Sequence, residues 1–359
     1  ISSQPDGTRK MQSIKPKLGF GLGSSMDKNR GKVFPQLKMK NGKTLDGRLS
    51  KVSVHFGSEH PSIKNIEVRA TIDDIHAIDG NIVVEAPHLQ LEQFVNVAKL
   101  VISKEHKDNI DLLAPSGVLK RVQLDLDLVN DVIVDGRIKS TINNLSLNSM
   151  VEDLSIQLQE AEVDADLHSG EFNFPGTTAT ILTSQLFPEP LKFSDVTGTF
   201  SWRREGKHWW LFSTDLTTHN PQATDLTVVG TANWFDQRPS PFVDIGIRAK
   251  RLEMPFLVRY LPTHLLSQTF STWLQNTHLT GALTDTELRL KGYTLNLNPG
   301  GITRLIQGRS SFEGIGLTFA EDWPPLEKAT GKIFITDTQA GCIVSKADFY
   351  GVQIQSSHA

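Results

Sequence analysis

The 359-residue sequence contains one cysteine, Cys342, so no disulfide can close within the chain and no cysteine-based metal cage can form. No stretch approaches the ~18 consecutive apolar residues of a membrane-spanning helix, and no N-terminal signal peptide is visible. The chain starts at Ile1 rather than methionine, which marks it as an expected fragment or processed form. A basic excess is also missing: 37 Lys and Arg stand against 40 Asp and Glu, for a net charge of −3. Nothing here would neutralise a run of phosphates, so nucleic acid is not an expected partner.

Aromatic residues with a polar tip are absent from the first half. All six Trp and all three Tyr lie after position 200: Trp202, Trp209, Trp210, Trp234, Trp273, Trp323, Tyr260, Tyr293 and Tyr350. Two readings fit, a wider core in the second half or an aromatic lining for an amphipathic ligand.

Recognisable chemistry is lacking as well. The run Gly19, Gly21, Gly23 has neither the preceding strand nor the following helix of a dinucleotide site. His55, Glu59 and His60 do not have the four-residue histidine spacing of a zinc-protease helix. Asp164, Asp166 and His168 alternate along one expected strand, as do Asp125 and Asp127, which makes them the wet side of a sheet rather than a metal site or a glycosidase pair. No serine sits in a nucleophile elbow. No catalytic residue, metal or cofactor is expected.

What the sequence has in quantity is alternation. Val122, Leu124, Leu126 and Leu128 fall on one face of a strand, with Gln123, Asp125 and Asp127 on the other. Similar short strands read from Lys51 to the end of the chain, after a polar, Gly/Lys/Ser-rich first 45 residues. Two helical patches interrupt them, over 89–104 and over 260–274, the second carrying a stripe of Leu266, Phe270, Trp273 and Leu274. Each patch is followed by the same spacing: Gly117, Leu119, Leu124, Leu126 after the first and Gly281, Leu283, Leu288, Leu290 after the second, 164 residues apart. A second match, "PLKFSDVTGTF" from Pro190 and "PLEKATGKIF" from Pro325, follows after about 80 residues in one copy and about 49 in the other. A decayed repeat with an insertion divides the chain into N-terminal strands (1–88), a first helix-plus-strands repeat (89–255) and a second, incomplete one (256–359).

A sheet with a clean apolar face must cover it, and two helical patches are too little for roughly fifteen strands. The cover is a second sheet, as in a β-sandwich, or a ligand. The apolar faces bearing Leu124, Leu126, Ile156, Leu158, Val163, Leu167, Leu288 and Leu290 are the candidate ligand surface, with Leu266, Phe270 and Trp273 docking at one edge or end.

The segment from Tyr260 to Gly292, "YLPTHLLSQTFSTWLQNTHLTGALTDTELRLKG", resembles a hallmark of the bacterial AsmA-like superfamily, specifically its YhdP branch. Shared features are the Tyr-Leu-Pro start, the helix ending in Trp-Leu and the Gly-x-Leu opening the next strand. "EDWPPLEKATGKIFI", from Glu321 to Ile335, resembles the branch's Trp-Pro-Pro segment; "LLAPSGVLKRVQLDL" and the stretch from Pro190 to Asn220 resemble it less specifically. The likeness covers roughly 90–350. It implies an elongated, twisted antiparallel sheet curled into a hydrophobic trough, short helices punctuating its repeats, within a periplasmic bridge-like protein that conducts phospholipid between the inner and outer membranes of Gram-negative bacteria. It further implies an inner-membrane anchor outside this segment, and outer-membrane or periplasmic proteins as partners. The competing reading is a β-sandwich envelope assembly or interaction module that binds no lipid; a polysaccharide-active enzyme is the third.

Overall fold

The computed structural model describes residues 36–356 except 41–43, 55–62, 75–78, 100–110, 112–113, 131, 150–153, 184–188, 221–222, 236–240, 258–268, 270–271, 275–276, 278, 294–303, 319–322 and 338. Strands dominate. In order they are β1 (Gln36–Lys40), β2 (Thr44–Val54), β3 (Ile63–Asp74), β4 (Asp79–Gln90), β5 (Ser116–Val129), β6 (Val132–Ser149), β7 (Leu154–Ala165), β8 (Ser169–Thr183), β9 (Leu191–Glu205), β10 (His208–Asn220), β11 (Ala223–Phe235), β12 (Phe242–Glu253), β13 (Thr280–Tyr293), β14 (Arg304–Leu317), β15 (Leu326–Ile335), β16 (Ala340–Phe349) and β17 (Val352–Gln355). Helix α1 (Leu91–Ala98) precedes β5, and the single turn α2 (Met254–Leu257) follows β12.

Every strand pairs antiparallel with the next in sequence, making one uninterrupted meander from β1 to β17 that does not close into a barrel. At about 4.8 Å per strand, β2 to β16 extend over roughly 70 Å. The sandwich reading needs a second sheet, and the described residues form only this one. Val243 and Phe174 are nevertheless buried, at 6% and 8% exposure, although Val243 is at the opposite end of β12 from α2 and Phe174 is in β8, far along the sheet from α1. A flat single layer would leave them open, so the sheet curls around that face.

The curl has a local cause. Residues in left-handed conformation recur where odd-numbered strands begin and even-numbered ones end: Asn65, Arg121, Asn144, Asp195, Asp225, Asp285, Gly314 and Lys328. Register breaks accompany them, for example between Lys120 and Gln123, Leu158 and Glu162, Thr284 and Glu287, and Phe312 and Ile315. Each such bulge bends its strand and raises the local twist, so a line of bulges at one level creases the whole sheet lengthwise. Small buried side chains follow the crease: Ser140, Ala161, Thr177, Thr218, Ala249, Ala282, Ser310, Ala329 and Ala347. Hydroxyls bind ladder groups beside the breaks. Ser140 Oγ donates to the Lys120 carbonyl (2.9 Å), Ser310 Oγ to that of Thr284 (3.0 Å) and Thr218 Oγ1 to that of Ser194 (2.6 Å), while Thr177 Oγ1 accepts from Glu160 N–H (2.8 Å).

These devices repeat. Gly117 and Gly281 both take positive φ (146° and 86°), as do Arg121 and Asp285 (53° and 50°), each pair 164 residues apart. A Cβ on Gly281 would lie 2.5 Å from the Gly314 backbone, so the position cannot carry a side chain without moving β14. Asp195 and Lys328 match at φ 49° and 52° but are 133 residues apart. The 31-residue shortfall corresponds to two strands, since five strands, β5 to β9, separate the marks in one copy and three, β13 to β15, in the other.

Candidate lipid-binding face

On one side of the sheet a single register row crosses twelve strands without a polar side chain. It runs Leu49, Val68, Val84, Leu124, Ile138, Ala165, Gly170, Trp202, Leu211, Ala232, Val243 and Gly292. A neighbouring row carries the same character onward through Val228, Ile247, Leu288, Gly308, Ile335 and Ala340 to β16. Most of these side chains are half-buried, screened by sheet curvature and by each other. No described element lies over the row. Helix α1 sets Leu91, Phe94 and Val95 against Leu119, Val122, Ile142 and Leu145, and α2 contributes Met254 to the cluster around Phe312 and Ile315. Both helices therefore fill the region where β4 and β12 end.

One residue along each strand, the opposite face is charged. On one side of the apolar row it reads Arg48, Arg69, Val83, Asp125 and Arg137 over β2 to β6; on the other side it reads Lys139, Asp164, Glu171, Ser201, Phe212, Thr231, Asp244 and Lys291 over β6 to β13. Cross-strand pairs link it: Arg48 to Glu67 at 2.8 Å, Arg69 to Glu85 at 2.7 Å, and two-pronged pairs from Arg137 to Asp164 (2.6 and 2.7 Å) and Arg289 to Asp244 (2.9 and 2.9 Å). The Arg137 hydrogen bond holds the Asp164 carboxyl below the usual carboxylate range, against the opposing effect of partial burial and with Lys139 assisting. Arg289, then Lys291, does the same for Asp244. Exposed pairs like these add little stability singly; they keep this face wet and fix strand register.

The expected ligand residues distribute as follows. Leu124, Leu126, Val163, Leu288 and Leu290 lie on the apolar face, and Leu158 joins the same cluster as Val163 beyond the crease, with Ile156 two residues further along β7. Leu167 differs. β7 stops at Ala165, where Asp166 accepts hydrogen bonds from His168 N–H, Ser169 N–H and the Ser169 hydroxyl, so Leu167 sits in a turn at 52% exposure. That capping turn, invisible to a period-two count, also removes Asp166 and His168 from the strand. Leu266 and Phe270 fall outside the described residues. Trp273 docks at the end of β14, its indole N–H donating to the Thr318 carbonyl at 3.2 Å. Among the described residues no group of His, Cys, Asp or Glu is arranged to hold a metal, and no helix is long and apolar enough to cross a membrane.

The family model described as YhdP protein matches residues 36–359. The chain belongs to the YhdP family. No curated protein and no solved structure matches it. In this YhdP-family sheet the late aromatics split between faces. Trp202, Trp209 and Trp234 project on the apolar side, whereas Trp210 and Phe212 lie on the charged side, where the Trp210 ring packs at a tilt against His208 with centroids 4.4 Å apart. Trp202 lies across Gly170, its cross-strand partner, whose missing side chain it replaces: a Cβ there would meet the indole at 2.3 Å. Sequence pattern named Trp202 only among the nine late Trp and Tyr that could line a ligand site, and Phe172, 5.1 Å from it, not at all. The late clustering of Trp was the available signal, and it did not distinguish faces.

Proposed function

We propose that this segment conducts phospholipid by seating acyl chains on its apolar face, within a periplasmic bridge between inner and outer membranes. The observation that carries the reading is the twelve-strand row without a polar side chain, with no described element over it. Removing a CH₂ from water is worth about 0.8 kcal/mol, so two 16-carbon chains represent on the order of 25 kcal/mol. A few hydrogen bonds cannot supply that; a continuous greasy surface can. Because neighbouring strands offer equivalent aliphatic contacts, a lipid shifts from one to the next with little change in free energy, its headgroup at the wet margin. Such conduction is passive and uses no catalytic residue or cofactor. Membership of the YhdP family and the open, curled sheet both fit a bridge-like lipid transporter. The parent protein would be held in the inner membrane by an anchor outside this segment, with outer-membrane or periplasmic proteins at the far end.

The test is direct. Purified from a lipid-containing host, the segment is expected to carry stoichiometric phospholipid by native mass spectrometry and by lipid extraction. Protein that is folded and lipid-free, and that takes up no lipid from vesicles, rules the reading out.

A further inference from the structure

Along most of its length the apolar face is aliphatic. Over β8 to β11 it is not: Phe172, Phe174, Phe200, Trp202, Trp209 and Trp234 share it. Two residues outward from Trp202 and Leu211, at the margin of the sheet, Arg204 and Trp209 form a cross-strand pair, and Trp209 pairs in turn with Trp234. The guanidinium carbon of Arg204 lies 5.2 Å from the Trp209 ring centroid, and its Nε donates to the Gly206 carbonyl at 2.9 Å. Lys207 adds positive charge at the same hairpin tip, while Arg203 projects on the opposite face and pairs with Glu205 at 3.0 Å. The preceding hairpin tip, between β7 and β8, is acidic instead, carrying Asp166 and Glu171. From margin to crease the order is Lys207 in the turn, a row of Arg204, Trp209 and Trp234, then Trp202 and Leu211, then Phe172 and Phe200. The same sequence orders a bilayer interface, where Trp holds the boundary between charged headgroups and hydrocarbon.

We infer that the β9–β10 hairpin binds the phosphate of a phospholipid whose acyl chains lie on the aromatic stretch beneath it, giving the conduit a preferred station near its middle. This rests on the lipid-conducting reading and adds a headgroup requirement at one place. A guanidinium fork matches two phosphate oxygens, and the stacked indole fixes its plane. Aliphatic strands on either side offer tails equivalent contacts but no comparable basic hairpin next to them on the β7–β8 side, so the phosphate distinguishes this position.

The experiment loads the wild-type segment with an equal mixture of dioleoyl phosphatidylglycerol and dioleoylglycerol, which have the same tails with and without the phosphate. Native mass spectrometry is expected to show a preference for the phospholipid on the order of tenfold, the worth of one charge-assisted contact, falling towards parity in Arg204→Gln. Arg289→Gln, on the charged face, keeps the wild-type ratio. In parallel, a photoreactive residue at Trp234 is expected to crosslink phospholipid several-fold more than one at Leu124 or Leu288. This second readout needs no change at Arg204. Equal binding of both lipids by wild-type, an unchanged ratio in a folded Arg204→Gln, or uniform crosslinking along the sheet each overturns the station while leaving lipid conduction standing. Release of the preference by millimolar inorganic phosphate marks a free-anion site and also overturns it. Wild-type that binds neither lipid instead removes the conducting reading itself.

Discussion

Arg121 and Asp285, 164 residues apart in sequence, hold the same left-handed backbone conformation, φ 53° and 50°, at the same level of β5 and β13. Neither is glycine, so each carries a local conformational cost that the crease requires. Asp285→Gly is expected to be neutral or slightly stabilising, and Asp285→Val to cost about 1–2 kcal/mol, because a β-branched residue tolerates that region worst. Hydrogen exchange of β13 and β14 amides reads the change locally, which matters in an array where unfolding need not be all-or-none. Equal protection in the Gly and Val variants would sink the idea.

Gly170 and Trp202 provide a steric test. A side chain at Gly170 must lift the indole off the sheet, since even Cβ would lie 2.3 Å from it. Gly170→Val is therefore expected to destabilise by about 1–3 kcal/mol, the usual range for overpacking, and to change Trp fluorescence. Trp202→Leu with Gly170→Val should recover much of the loss, because the pair is one packing unit.

The two faces should respond oppositely to charge. Leu126→Asp and Leu290→Asp place a carboxylate where acyl chains are proposed to lie, and an unpaired charge there is costly. Bound lipid is expected to fall severalfold in both, with the fold retained by circular dichroism. Arg137→Gln, on the far face, should leave bound lipid unchanged. Equal lipid loss in all three would show that the measurement reports folding rather than the face.

Acid should weaken the sheet from its charged side. Asp164 and Asp244 have carboxyl pKa values lowered by the hydrogen bonds of Arg137 and Arg289 respectively. A carboxylate depressed in the folded state contributes stability that is present above its unfolded pKa of about 3.9 and disappears as pH falls through the lower folded value. Stability is thus expected to hold from neutral pH down to about 5 and to drop below about 4. Asp164→Asn should flatten that drop, and salt should do so in part because the pairs are exposed. A urea midpoint for Asp164→Asn that falls as steeply as wild-type below pH 4 would contradict it.

Period-two alternation made β5 legible: Leu124, Leu126 and Leu128 on one face and Asp125 and Asp127 on the other. The Gly117/Gly281 spacing likewise marked two positions of positive φ, with Arg121 and Asp285 at 53° and 50° four residues further on. The crease was not legible, because a bulge shifts the alternation by one and leaves only an irregularity such as Lys120 and Arg121 side by side and exposed. Leu167 was misplaced for a related reason, since the Asp166 turn ends the strand through hydrogen bonds to its own backbone. Cross-strand neighbours such as Trp202 and Gly170, or Arg204 and Trp209, depend on register between strands, which one-dimensional pattern does not reveal.

The 31 residues that separate the two repeat spacings amount to one hairpin. Adding a hairpin to a meander returns the chain to the same edge, on the same face, in the same direction. Length can therefore change in steps of roughly 10 Å, two strand spacings, without turning any greasy residue outward or moving either helix to the other margin. A single added strand would reverse everything after it. The sheet behaves as a ruler graduated in pairs of strands, whose span can be refitted to a gap of different width by duplication or loss of one unit.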